Sequence, residues 1–342
     1  MPVIFQSNIY CFKRNIKSLL PKLKKIFTDN MNEDNLTIPL ISVIITTYNY
    51  AVFLPVAIES VLNQSYPRFE IIVIDDGSID NTRCVSENYA GIKYFYQENK
   101  GVSAARNTGI LKSSGTYVVF LDGDDWLEEN ALNVNAAELA NNPQLAFVSG
   151  NYFFLRAESA SAKAITVKVT DNHYKKLLEC NYIGMLAAVM FQRWVFDELR
   201  YDECLKTCED YDLYLNIARK YPVYHHQKFI ATYNFHKKSL SHNYLAMINS
   251  IYSVIKKQGP FLRNTSEVIA YNKGLNQWKE YHCLECYRMY TSRKPFAVFK
   301  NRVDILIFLK YNPALFLKLL KADINKLFSV DFIKNNFTYR KI

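Results

Sequence analysis

The chain has 342 residues, of which 49% are hydrophobic and 22% are charged. This composition is that of an ordinary globular protein with space for one large or two modest domains, and it excludes general disorder. The seven cysteines are scattered and no secretory signal precedes them, so we expect free thiols in place of a disulfide scaffold. Cys283 and Cys286 form a lone C-x-x-C, for which a structural zinc is the alternative to two thiols on a helix face.

The formal net charge of +10 is carried by the two ends of the chain. Residues 1–38 hold six basic and three acidic residues, and residues 291–342 hold eleven and three, which leaves the remainder near neutral. Such a distribution is a poor match to a nucleic-acid groove, so we expect no nucleic-acid partner. Amphipathic stripes at 9–27 and 316–328 are suited either to an anionic membrane surface or to packing on the body.

From residue 41 onward, short apolar segments alternate with longer segments of helical period, which is the pattern of β-α-β units in a parallel sheet. The pattern predicts strands at 42–46, 69–74, 92–96 and 117–121, and helices from 54 to near 67, at 81–89, at 102–112, from near Trp126 or Glu128, and through 215–218. The chain is therefore predicted to be an α/β protein.

A polar cluster follows three of the predicted strands, at 46–49, 75–78 and 122–125. In a parallel sheet these clusters meet at one edge, where open α/β sheets bind ligands. The run at 122–125 is Asp-Gly-Asp-Asp, whose oxygen ligands suit Mg²⁺ or Mn²⁺ carrying a phosphate. The sequence has no glycine-rich phosphate loop, so a metal ion is left to handle the phosphate charge. The alternative for the acidic run is a turn in which an Asp caps the next helix.

Several segments resemble, in order and spacing, the motifs of family 2 glycosyltransferases, which have the GT-A fold. These segments are residues 42–49, 60–66, 74–78, 101–107 and 120–125. The resemblance implies a GT-A domain over 39–245, between a basic N-terminal extension at 1–38 and a helical, basic C-terminal region at 246–342. It also implies transfer of a sugar from a nucleotide diphosphate sugar to an acceptor hydroxyl, with inversion at the anomeric carbon.

The resemblance also assigns residues to the donor nucleotide. Thr46 and Tyr48 would lie at the base, with Tyr48 stacked on the ring, and Asp76 would accept a hydrogen bond from the base edge. Arg106 belongs to the family's donor region, and Asp122 to the ribose and metal zone. A ring stacked on an aromatic face and a carboxylate paired with an imide N–H favour a uracil or thymine nucleotide.

Asp124 is implied as the direct ligand of Mn²⁺ or Mg²⁺, with Asp122 beside it. His236 resembles the histidine that the family places near the donor diphosphate, where it would complete the metal shell or bind a phosphate oxygen. Asp210 belongs to a Glu-Asp pair that marks the acceptor side, and it is the candidate general base. The alternative for Asp210 is an N-terminal helix cap.

Two other classes of protein remain open. A nucleotidyltransferase would also place acidic residues and metal ions on an α/β sheet, but it would attack phosphorus and release pyrophosphate. A non-catalytic sugar-nucleotide or membrane-binding module would follow if Asp210 is only a cap. The favoured interpretation is a UDP-sugar donor with a saccharide or lipid-linked acceptor in cell-surface polysaccharide or glycolipid synthesis. We expect the protein in the cytoplasm, peripheral on the inner face of the cytoplasmic membrane.

Overall fold

The computed structural model describes residues 38–156, 161–236, 239, 244–291 and 309–327. The strands are β1 (Ile41–Thr47), β2 (Phe69–Asp75), β3 (Lys93–Tyr96), β4 (Tyr117–Asp122), β5 (Trp126–Leu127), β6 (Phe147–Arg156), β7 (Ser161–Ile165), β8 (Val189–Gln192) and β9 (Tyr224–Phe235). In the described part of the chain they form one sheet in the order β3-β2-β1-β4-β8-β6-β9-β5, with β7 beside β6. The predicted stripe at 9–27 lies outside the described residues.

Helices pack against both faces of this sheet. They are α1 (Leu54–Leu62), α2 (Thr82–Glu87), α3 (Val102–Lys112), α4 (Ala131–Asn141), α5 (His173–Glu179), α6 (Val195–Glu198), α7 (Glu209–Lys220), α8 (Tyr244–Gln258), α9 (Thr265–Thr291) and α10 (Pro313–Leu327). Short 3₁₀ turns occupy Leu186–Ala188 and Gly259–Phe261. The predicted alternation of strands and helices is confirmed, which makes this an α/β protein.

The burial of strand β1 on both faces explains why the first half of the sequence contains continuous apolar segments. The strand pairs in parallel with β2 and β4 along its whole length, and all of its residues are buried. Ile44 packs on one face of the sheet and Ile45 on the other, so both faces are covered, as parallel sheets require. Gly109 allows α3 to approach closely, because a Cβ there would lie 2.3 Å from Cγ2 of Ile44.

The sheet changes direction at β4, whose second edge pairs antiparallel with β8. Strand β6 then pairs antiparallel with β8 and in parallel with β9, with an irregular register between Ser149 and Tyr152. The register of β1 places Thr46 beside Asp122 on one side and beside Ile74 on the other. The carboxyl ends of β1, β2 and β4 therefore meet at one edge, as the sequence predicted.

The helix predicted to start near Trp126 or Glu128 is wrong in position. Trp126 and Leu127 form β5, which pairs antiparallel with β9, and the backbone N–H of Glu128 donates to the carbonyl of Ile230 at 2.8 Å. Helix α4 begins only at Ala131. The extended conformation is stabilised by a strand that comes about a hundred residues later in the chain, which local periodicity does not reveal.

The C-terminal helices pack beside the second half of the sheet. Helix α9 lies close against α5, since a Cβ at Gly274 would come within 1.9 Å of the carbonyl oxygen of Leu178. Cys283 and Cys286 lie on α9, and the prediction about their side chains falls outside the described residues. Of the helices that the structure describes, none has the length and apolarity to cross a bilayer.

Candidate active site

A cleft of about 730 Å³ opens at the carboxyl ends of β1, β2 and β4. The predicted site residues that line it are Thr46, Tyr48, Asp76, Arg106, Asp122 and Asp124. Asp210 directly follows Glu209, which also lines the cleft, and His236 contacts Asp124. The structure thus brings together every residue that the sequence selected, although they come from distant parts of the chain.

Tyr48 occupies the turn after β1 with 47% of its surface exposed, so one face of its ring is open to a ligand. The next residue, Asn49, has a φ of 58°, a left-handed conformation that asparagine tolerates better than most residues. The backbone N–H of Asn49 donates to Oγ of Ser78 at 2.8 Å, and its side-chain oxygen accepts from the N–H of Ile79 at 2.9 Å. The turns after β1 and β2 are therefore locked together, which fixes where Tyr48 stands.

Asp76 is buried at the end of β2 and organises the loop that follows β3. Its carboxylate accepts hydrogen bonds from Nε2 of Gln97 at 2.7 Å, from the N–H of Lys100 at 2.9 Å and from the N–H of Gly101 at 2.8 Å. The sequence did not indicate this bracing of the loop. Because a carboxylate has about four lone-pair sites, one further donor such as an imide N–H of a base can still be accepted.

The acidic run forms a turn, as one alternative predicted, since the N–H of Asp125 donates to the carbonyl of Asp122 at 3.0 Å. No Asp of the run caps α4, whose cap position is Asn130. Oδ1 of Asp122 accepts from Nη2 of Arg106 at 2.8 Å and from Oγ1 of Thr46 at 3.2 Å. Thr46, predicted to lie at the base, thus has its hydroxyl directed to Asp122.

Asp124 and Asp125 are both buried beside Asp122. Burial, and then the charge of Asp122, raises the pKa of Asp124 to about 7. Burial raises the pKa of Asp125 well above its ordinary value, and its carboxyl accepts the N–H of Asn234 at 2.8 Å. Three carboxyl groups therefore lie close together, and the nearby cationic side chains do not balance all of their negative charge.

His236 follows β9 and closes this part of the cleft. Its Nε2 lies 2.9 Å from Oδ2 of Asp124, and its ring stacks on Phe53 with the centroids 4.4 Å apart. Tyr50 meets the same ring edge-on at 5.6 Å. Sequence reasoning missed Phe53 and Tyr50, although both belong to the aromatic-rich loop that follows β1.

The residues around Asp124 fit a divalent ion that is shared with a diphosphate. Within the described ranges no three His, Cys, Asp or Glu side chains are grouped to hold a metal ion by themselves. Mg²⁺ beside nucleotides is commonly bound by one or two carboxylates together with phosphate oxygens and water. The buried Asp124, with His236 at 2.9 Å and Asp122 nearby, matches this smaller donor set. Its pKa is raised first by burial and then by the charge of Asp122, and a bound cation would oppose both effects.

Asp210, the predicted general base, lies at the start of α7. The cap position is Cys208, which has a φ of 62° and makes no side-chain capping bond, so Asp210 is not the N-cap that the alternative predicted. Oδ1 of Asp210 accepts the N–H of Tyr211 at 2.7 Å. Burial, and then the neighbouring Glu209, raises the pKa of Asp210 to about 7. A carboxylate that titrates near neutral pH is suited to accept a proton in catalysis.

Arg106 lies under the cleft and joins its two sides. Its side chain is 3% exposed, Nη2 donates to Asp122 at 2.8 Å, and Nη1 donates to Glu209. Tyr201 lies against the guanidinium at 5.4 Å from the ring centroid. Burial alone would lower the pKa of Arg106, but Asp122 and Glu209 raise it well above its ordinary value. Sequence reasoning placed Arg106 in the donor region and named Glu209 only as part of the Glu-Asp pair; it did not predict their ion pair across 103 residues.

Two solved structures share this fold. Staphylococcus aureus TarS (residues 1–349), solved with UDP, superposes with a TM-score of 0.53 at 21% identity over 69% of this chain and 71% of the solved TarS chain. The mannosyltransferase PcManGT of Pyrobaculum calidifontis, solved with GDP-Man and Mn²⁺, gives 0.54 at 16% identity over 90% of each chain. The expected GT-A fold is therefore confirmed.

The amino-acid sequence matches a known family directly. The profile described as Glycosyl transferase family 2 matches residues 42–192. An uncharacterized glycosyltransferase of Haemophilus influenzae is 33% identical over 200 residues, which are 56% of this chain and 78% of that relative. The chain covers less than two thirds of the length of other curated relatives, for example 57% of one and 28% of another. The chain belongs to glycosyltransferase family 2 and is an enzyme of that family with the GT-A fold.

Proposed function

We propose that this enzyme transfers a sugar from a UDP-sugar to an acceptor hydroxyl with the help of Mn²⁺ or Mg²⁺, in the synthesis of a cell-surface polysaccharide or glycolipid. One observation carries the proposal: a single cleft joins the half-exposed Tyr48, the carboxylate pair Asp122 and Asp124, and the start of α7 at Glu209, the residue before Asp210. The proposed catalytic domain is residues 39–245, flanked by the basic regions at 1–38 and 246–342.

The donor nucleotide is bound by Tyr48 and Asp76. The uracil ring stacks on Tyr48, and its imide N–H donates to the carboxylate of Asp76, which keeps a free acceptor position. The bound UDP of TarS supports a nucleoside diphosphate at this edge of the sheet. A guanine base has a different hydrogen-bonding edge, so the GDP-Man of PcManGT supports the nucleotide-sugar class but not the choice of base.

Asp124 and His236 would hold the metal ion, with Asp122 beside them, and the ion would offset negative charge on the departing diphosphate. The Mn²⁺ of PcManGT supports a divalent ion. Asp210 accepts the proton of the acceptor hydroxyl while that oxygen bonds to the anomeric carbon, on the face opposite the leaving UDP. The configuration at the anomeric carbon is therefore inverted in the product. Proton acceptance by a positioned carboxylate contributes about 10² to 10⁴ in rate.

The acceptor is proposed to be a saccharide or a lipid-linked saccharide at the inner face of the cytoplasmic membrane. Helix α10 supports contact with an anionic surface, because Leu317 is 62% exposed and Lys318 and Lys321 lie on the same helix. Membranes of expressing cells, prepared at low salt and then washed with high salt, test this. Release of bound enzyme by salt is expected, and an enzyme absent from the membranes at low salt would contradict it.

The donor site is tested by calorimetric titration of the purified enzyme with UDP, first with Mn²⁺ and then with chelator. Asp124→Ala should remove the metal-dependent part of binding, whereas Asp197→Ala, an exposed carboxylate on α6, should leave it intact. Metal-dependent binding would be followed by a screen of UDP-sugars and saccharide acceptors. No binding of UDP would overturn the proposed donor, release of pyrophosphate would indicate a nucleotidyltransferase, and binding without turnover would indicate a non-catalytic module.

A further inference from the structure

Helix α3 contacts the acceptor side of the cleft through three polar side chains. Each of them has a partner in residues 201–209, here called the acceptor loop, which ends at the first residue of α7, one residue before Asp210. Six residues of this loop line the cleft: Glu203, Leu205, Lys206, Thr207, Cys208 and Glu209. The position of the acceptor loop therefore sets the width of the cleft opposite the nucleotide.

Asn107 holds the beginning of the acceptor loop. Its Oδ1 accepts the N–H of Tyr201 at 3.0 Å, and its Nδ2 donates to the carbonyl of Tyr201 at 3.0 Å and to Oε1 of Glu203 at 2.9 Å. One side chain thus satisfies both backbone groups of the same residue. A primary amide can do this because it carries a donor and an acceptor in one plane.

The middle and the end of the loop are held by the preceding turn of α3. Oγ of Ser103 is directed to the carbonyl of Leu205 at 3.4 Å, and Arg106 donates to Glu209 while its guanidinium lies against the ring of Tyr201. Because the same guanidinium donates to Asp122, Arg106 ties the acceptor loop to the metal side of the site. Lysine offers one point charge and lacks the planar fork that lets an arginine bond two carboxylates at once.

We propose that Arg106 and Asn107 are positioning residues that clasp the acceptor loop and thereby hold Asp210 in place for proton transfer. This inference rests on the proposed function, in which Asp210 is the general base. It gives the motif at 101–107 an acceptor-side task in addition to the donor region assigned from the resemblance. Both terminal nitrogens of Arg106 donate to protein carboxylates, one on each side of the cleft.

The clasp is tested with Arg106→Lys and Asn107→Ala in the full chain, with Leu111→Gln as the matched control. Leu111 lies on the same helix and is 75% exposed, away from the cleft lining. We would measure the affinity for UDP with Mn²⁺ by calorimetry, and UDP release from a UDP-sugar against pH, with water or a screened saccharide as acceptor. Thermal melting of each variant reports whether it folds.

Both clasp variants are expected to bind UDP as the wild type does and to lose about 10²-fold in turnover. A displacement of a reacting group by about 1 Å lowers the rate on this scale. The positive charge of Arg106 lowers the pKa of Asp210, so a weakened ion pair should also move the acidic limb of the pH profile upward. A purely structural role would lower the melting temperature without moving that limb. The control variant should match the wild type in all three measurements.

Loss of UDP affinity at unchanged turnover would show that these residues bind the donor, and it would overturn the inference. Unchanged turnover together with an unchanged pH profile would overturn it as well. If Arg106→Lys does not fold, Asn107→Ala still tests the clasp. The hydrogen bonds of Asn107 lie near the surface, so their loss destabilises the fold less. A wild-type enzyme that neither binds UDP nor releases it would instead count against the proposed function, before any variant is compared.

Discussion

Nε2 of His236 lies 2.9 Å from Oδ2 of Asp124, although 112 residues separate the two in the chain. The contact joins the turn after β4 to the end of β9, and the stack on Phe53 fixes the ring in this orientation. The cleft is therefore complete only when both halves of the sheet are in place.

Replacement of His236 by Gln should weaken Mn²⁺ binding in the presence of UDP by about 10- to 100-fold, since partners of a ligating carboxylate tune metal affinity on that scale. The measurement is a calorimetric titration of Mn²⁺ into the enzyme saturated with UDP. His173→Gln is the control, because His173, on α5, bonds the hydroxyl of Tyr182 and not the acidic run. Equal Mn²⁺ affinity in both variants would contradict a role for His236 at the metal.

Turnover should rise with pH and level off above neutrality. Asp210 has a pKa raised to about 7, and only its ionised form can accept the acceptor proton, so activity falls as the pH drops through that value. A profile of turnover between about pH 5 and about pH 9 tests this. Asp210→Asn should lower turnover by about 10² to 10⁴ and keep UDP affinity, and a variant that loses both would contradict the assignment.

Tyr48→Ala should weaken UDP binding by about 1–3 kcal/mol, which is the usual value of a base stacked on an aromatic ring. Tyr48→Phe keeps the ring and should bind UDP nearly as the wild type does. The dissociation constants of the two variants, measured with Mn²⁺ present, separate stacking from a role of the hydroxyl. Equal losses in both variants would show that the hydroxyl matters and not the ring face.

Asp125→Asn should stabilise the fold at alkaline pH. The folded state raises the pKa of Asp125 above its unfolded value, so its contribution to stability is complete below about pH 4 and is lost as the pH rises through the folded pKa. The amide keeps an acceptor for the N–H of Asn234 and carries no charge. At about pH 8 the free energy of unfolding of the variant should therefore exceed that of the wild type.

Urea unfolding with chelator present, at about pH 4 and about pH 8, measures this difference for the variant and the wild type. The difference in free energy of unfolding between the variant and the wild type should be small at the lower pH and larger at the higher pH. A wild type that is the more stable protein at about pH 8 would show that the ionised carboxylate of Asp125 supports the fold.

The parallel half of the fold was predictable to within one or two residues for most elements, and α3 was predicted at its observed bounds. Its strands are buried on both faces and its helices are bounded by local signals, so the information lies in neighbouring residues. The two-residue strand β5 was missed because its conformation depends on pairing with β9. Extended pairs of this kind leave no periodic trace in a short segment.

The candidate site also has a part that was predictable from the sequence and a part that was not. The segment that carries Tyr48, Asp76 and Asp124 was recognised from motifs, and the structure groups these residues at one cleft, while their roles stay predictions. The bond from Arg106 to Glu209 was not foreseen, because an arginine in a helix does not indicate which distant carboxylate it will meet. The amphipathic stripe at 9–27 also stays a prediction.

The antiparallel pairing of β4 with β8 has a consequence for synthesis on the ribosome. Strand β4 is made well before β8, and in the finished protein Val118 and Phe120 within it are fully buried. Until β8 emerges, one edge of an apolar strand carries unpaired backbone groups, which is a template for pairing with other chains. A nascent chain that stalls between residues 122 and 189 is therefore the species most in need of a chaperone.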